Sequence, residues 1–120
     1  MIYKLVRTRG RNALYKEKHD EEKNRTGIPE ALLQRAEKKA GMSFRDVRVH
    51  YHSSKPREVG AKAITQGNDI DIASGCEDCL KHELGHIPQQ RMGRVTATRM
   101  VNGYPVNDNP ALEREADKFL

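Results

Sequence analysis

Histidines at positions 82 and 86 flank Glu83-Leu84-Gly85, and this spacing limits what the chain can fold into more than any other stretch does. Residues four apart lie on one face of an α-helix, so both imidazoles can reach one metal ion if this run is helical. Glu83, one position after the first histidine, then addresses a water beside that ion instead of the ion itself. A glutamate so placed can act as general base in zinc-assisted hydrolysis. Three fixed residues in five also arise by accident, so the motif needs support from elsewhere in the chain.

A catalytic zinc usually takes three protein ligands and keeps a fourth position open. A glycine three residues after His86, and a histidine three beyond it, would complete the set locally. Those positions hold Gln89 and Met92, which excludes that solution. The run Leu112-Glu113-Arg114-Glu115-Ala116-Asp117 offers a carboxylate instead, with Glu113 lying 27 residues beyond His86. Glu113 and Asp117 are again four apart, so Glu113 is the expected third ligand and Asp117 the expected partner of a ligand histidine's ring N–H. Glu115 competes for the metal, but its spacing of two from Asp117 puts that pair on different faces. The alternative is a charged, solvated terminal helix.

A chain of 120 residues fits one small domain. Leu, Ile, Val and Phe together number 23, Trp is absent and charged residues make up 32%. The core is therefore expected to be thin, and a bound metal would add substantially to stability. There is no run apolar enough to span a bilayer, and Lys4 interrupts Met1–Arg7, so no signal peptide is expected and synthesis should be cytoplasmic. The net charge of +5 is uneven: residues 1–25 hold eight Lys/Arg against four Asp/Glu. Two units are expected, a basic N-terminal arm at 1–25 and a metal-binding domain at 26–120. With only Tyr3 and Tyr15 as aromatics, the arm reads as a solvated leader, and nucleic acid is not the expected partner.

Cys76 and Cys79 stand just ahead of the histidines. They can be packed thiols, a redox pair, or ligands of a structural zinc shared with His82 and His86. The last would leave Glu83, Glu113 and Asp117 without a role and would strain tetrahedral geometry.

Along the chain, Pro29 and the spacing of Leu32, Leu33, Ala36 and Ala40 predict a helix stopped by Gly41. Alternating residues predict strands over 46–50 and 69–73, with a short helical stretch around 59–65 between them. The metal helix should start near Glu77 and kink or end at Pro88, which lacks the N–H that would bond the Leu84 carbonyl. A strand over 94–101 leads to the hairpin signal Asn102-Gly103. Asn109 and Pro110 open a last helix as cap and first residue.

Thr26-Gly27-Ile28-Pro29, Asp46–Tyr51, Ser53-Ser54-Lys55-Pro56, Gln66–Ile70, His86-Ile87-Pro88-Gln89-Gln90, Gly93-Arg94-Val95, Asn102-Gly103, Val106-Asn107-Asp108 and Leu112–Asp117 follow in order. Over residues 24–120 this series resembles the core domain of extracellular contractile injection system (eCIS) effectors, a family treated as HExxH zinc metallopeptidases. The resemblance implies zinc at His82, His86 and Glu113, with catalysis by Glu83. It also implies a peptide or protein substrate, and partners among injection-particle components or a fused toxin domain. Packaging into an extracellular particle would follow, with the domain releasing cargo, processing itself, or serving as a non-catalytic, zinc-stabilised loading or docking module. The chain departs from the family pattern at Cys76 and Cys79, at Leu84-Gly85 and at Pro88.

The expected fold is α/β (α+β): a minimal, gluzincin-like zincin whose small twisted sheet packs on two metal-bearing helices. His50, with Tyr51 and Tyr104 behind it, is a candidate for oxyanion or substrate contact, against an ordinary strand histidine. The strand at 69–73 is the candidate edge for main-chain pairing with a peptide.

Overall fold

The computed structural model describes residues 23–120, so nearly all of the expected basic arm lies outside the described residues. The described residues open with a side-chain network. Asn24 Oδ1 accepts from the Thr26 amide and hydroxyl, while Thr26 Oγ1 accepts from the Ile28 amide. Helix α1, Glu30–Ala40, follows and buries Leu33 and Ala36. Gly41 ends it at φ 70°, a left-handed conformation that glycine adopts without steric cost.

Three short strands form the main sheet: β1, Arg48–Tyr51; β2, Ala63–Gln66; and β3, Asp69–Ile72. Their order is β1-β3-β2, with β1 parallel and β2 antiparallel to β3. Two expectations are corrected here. The stretch expected to be helical around 59–65 instead ends in strand β2, and the helix, α2, lies earlier at Lys55–Glu58. Pairing with β3 prevails over a weak local helical signal, and β-branched Ile64 and Thr65 suit the strand. Second, β3 is central and bonded on both sides, so it cannot add a peptide strand; the open edge nearer the histidines belongs to β2.

A 3-10 turn at Glu77–Cys79 leads into α3, Leu80–Arg91. This helix is enclosed on three faces. Leu80, Leu84 and Ile87 join Leu33, Phe44, Val47, Ile70 and Ile72 in the core. His82, His86 and Gln89 face the last helix, while Glu83 and Gln90 face β2. Pro88 does not end the helix, which runs a further turn to Arg91. That turn is anchored by Arg91, whose guanidinium donates to Ser43 O, Asp46 Oδ1 and Asn68 Oδ1 and lies over the Phe44 ring.

The strand expected over 94–101 is shorter: β4, Arg99–Val101, pairs with β5, Tyr104–Val106. Asn102 and Gly103 turn between them at φ 49° and 83°, the pair of positive values that a two-residue hairpin turn uses. Helix α4, Pro110–Asp117, starts at Asn109, whose side chain accepts from the Ala111 and Leu112 amides. The fold is mixed α+β.

Candidate metal centre

Helices α3 and α4 meet where neither carries a large side chain. A methyl group built on Gly85 would lie 2.7 Å from Ala116 Cα and 2.9 Å from Ala116 O. Glycine on one helix and alanine on the other therefore allow the backbones to approach closely, which brings Glu113 and Asp117 over the histidines.

The result is a tight cluster. His82 Nε2 lies 2.7 Å from Glu113 Oε1 and 3.2 Å from His86 Nε2, and His86 Nε2 lies 3.3 Å from Glu113 Oε1. Among the described residues, these three side chains form a group able to hold a metal ion, with ligand atoms all within 4.8 Å of one another. His82 Nδ1 is 2.6 Å from Asp117 Oδ1, and His86 Nδ1 is 2.7 Å from Gln89 Oε1. Burial opposes a charge on His82, yet hydrogen bonds to Asp117 and Glu113 outweigh it and hold its pKa above the ordinary imidazole value.

Glu83 is buried, and Thr65 Oγ1 on β2 donates to its Oε1 at 2.5 Å. Burial pushes its carboxyl pKa upward, opposed by the Thr65 hydroxyl and the two imidazoles. A carboxylate of raised basicity suits proton transfer near neutrality. Gln90 meets β2 as well: its Nε2 donates to Thr65 O and its Oε1 accepts from Gly67 N, both at 2.6 Å. Ala73 N donates to Lys62 O, so along β2 the main-chain groups of Ala63 and Thr65 turn away from β3 toward the cleft. Gln90 occupies the far end of that edge and leaves Ala63 as its open part.

These residues line a cleft of about 650 Å³ roofed by the β4–β5 hairpin. At the hairpin, Tyr104 Oη donates to Glu58 Oε1 at 2.9 Å and Asn102 Nδ2 to Glu58 O at 2.6 Å. Tyr104 therefore lines the cleft, but His50 and Tyr51 do not. They sit on β1, the other edge of the sheet, where His50 pairs with Asp69 and Tyr51 donates to Gly27 O. Strand order, invisible in the sequence, separates them from the metal-capable group. Glu115 points elsewhere, to Arg94 and Gln89. Both cysteines are free thiols outside the metal-capable group; Cys76 is buried in the core, while burial raises the pKa of the half-buried Cys79.

Sequence reasoning assigned no role to Thr65 or Gln90; Gln89 was noted as the wrong residue for another zinc motif, and both glutamines stood in the family-like run over 86–90. The one available signal was the polar pair Gln89-Gln90 continuing a helix at positions i+3 and i+4 from His86.

The fold and site define a small α+β protein with two histidines and a carboxylate gathered between helices. More particularly, the chain belongs to the eCIS core domain family, whose model matches residues 27–94. This ties it to contractile injection systems. The matched segment is narrower than the 24–120 over which a resemblance was read: it contains His82, Glu83 and His86 but neither Glu113 nor Asp117. Comparison with curated proteins and with solved structures gives no match. Among the described residues, no helix is long and apolar enough to cross a membrane.

Proposed function

We propose that this chain is a zinc-dependent metallopeptidase of the zincin type, acting on a peptide or protein associated with an injection particle. The observation that carries the reading is the convergence of His82, His86 and Glu113. Ligands about 2.0–2.1 Å from a tetrahedral zinc stand about 3.3 Å apart, and two of the three separations here are 3.2 and 3.3 Å. Two imidazoles and one carboxylate are also a donor set that zinc accepts in hydrolytic sites. Bound zinc would supply Lewis acidity toward water and a substrate carbonyl.

The chain's own residues do the rest. Glu83 accepts a proton from the attacking water and passes it to the leaving amine, while Thr65 fixes the orientation of its carboxylate. The open Ala63 edge of β2 pairs with substrate main chain and aligns it along the cleft. Glu83→Gln should keep zinc stoichiometry while abolishing cleavage, read as chelator-sensitive proteolysis of the intact chain or of particle components. Undiminished cleavage by that variant refutes the general-base role.

A second reading is a loading or docking module in which zinc staples a thin core without turnover. The burial of Glu83 beneath Thr65 favours it. It predicts stoichiometric zinc, no proteolysis of any substrate, and binding to particle components that survives Glu83→Gln.

A further inference from the structure

We propose that Gln89 is the positioning residue that makes His86 a metal ligand through Nε2, and that it locks the helix bearing Glu113 to the helix bearing both histidines. The inference rests on the metal-binding part of the reading above, and it holds for either a peptidase or a docking module.

Gln89 is 1% exposed, so each polar atom of its amide must find a protein partner. Its Nε2 donates to Leu112 O at 3.0 Å and to Glu115 Oε1 at 2.8 Å. One of these is a peptide carbonyl; the other is a carboxylate paired with Arg94 at 2.8 and 3.1 Å. Neither has a proton to give. Flipping the amide would aim its oxygen at two acceptors, so its polarity is fixed by α4.

That polarity decides the chemistry of His86. Gln89 Oε1, 2.7 Å from His86 Nδ1, can only accept, so Nδ1 carries the ring proton and the lone pair of Nε2 turns inward. Asp117 Oδ1 accepts from His82 Nδ1 in the same way. With both rings uncharged, His82 Nε2, His86 Nε2 and Glu113 Oε1 present lone pairs to one another at 2.7 to 3.3 Å, an arrangement relieved by a metal ion or, in its absence, by the proton that Glu113 favours on His82. The same amide ties α4 to α3 on the turn that carries Glu113. Gln89 lies inside the matched family segment while its two acceptors lie outside it. It is therefore a joint between the histidine pair and the helix that completes the set.

The bland alternative is a buried glutamine that merely satisfies its own hydrogen bonds. Two measurements on the full chain separate them. In the metal-free protein, nitrogen NMR of the uncharged His86 ring should find the proton on Nδ1; a proton on Nε2 overturns the proposal. In zinc titrations, Gln89→Met should weaken binding by about 10- to 100-fold, the usual effect of losing a partner that orients a ligand. Gln89→Glu retains an acceptor for His86 Nδ1 but sets a carboxylate against Glu115 and Leu112 O. It should melt below the methionine variant yet bind zinc more tightly. Affinities that instead follow the melting temperatures assign Gln89 a structural role only and sink the proposal. If the parent chain binds no zinc, the metal reading fails on its own, and the His86 tautomer still decides what Gln89 does.

Discussion

At the scale of single residues, the site depends on the smallest one in it. Gly85 costs helix stability relative to alanine, by about 1 kcal/mol in an exposed setting. Here the balance reverses, because the added methyl would meet Ala116 backbone below 3.0 Å. Gly85→Ala should destabilise the fold by about 1–3 kcal/mol and weaken zinc binding more than any surface change on α3. Thermal melts and zinc titration of the same variant check both. The two histidines, Glu83, Glu113 and Asp117 were all legible as candidates, because spacing of four is a local property of a helix. That α4 would cross α3 at Gly85 was not legible, since nothing local pairs residue 85 with residue 116.

At the scale of elements, tertiary pairing corrected the local reading. The helix at α1 and the caps at Gly41 and Asn109 were readable from apolar spacing and capping chemistry. Strand β2 was not, since it is defined by its bonds to β3 and by the side chain of Gln90. Pro88 was expected to kink or end α3; it does not end it, because burial of Ile87 and Gln89 and the anchoring of Arg91 sustain one more turn. Gln90 in turn imitates a strand partner on Thr65 and Gly67. Gln90→Ala should free the Gly67 amide, and hydrogen exchange at that single position should accelerate while Leu84 in the core keeps its protection. Unchanged exchange at Gly67 would show that the side chain does not cap the edge.

At the scale of the molecule, the proposed metal site would link stability to metal binding. The core is formed by a few residues, among them Leu33, Phe44, Val47, Ile70, Ile72, Leu84 and Ile87, without a tryptophan. An ion held by two separate helices binds the folded state alone, so free zinc at a hundred times its Kd should stabilise the protein by about 2.7 kcal/mol. For a domain near this size that is a rise of roughly 10 °C or more in Tm, reversed by a chelator and absent in His82→Ala. Calorimetry with and without zinc measures it, and a Tm indifferent to zinc in the parent chain contradicts a bound ion.

The order of the ligands along the chain sets a timetable. Both imidazoles leave the ribosome before the carboxylate of Glu113, which travels on α4. A growing chain thus carries a half-built clasp, and the three-residue set that the proposal requires is complete only once α4 has been made and has folded onto α3.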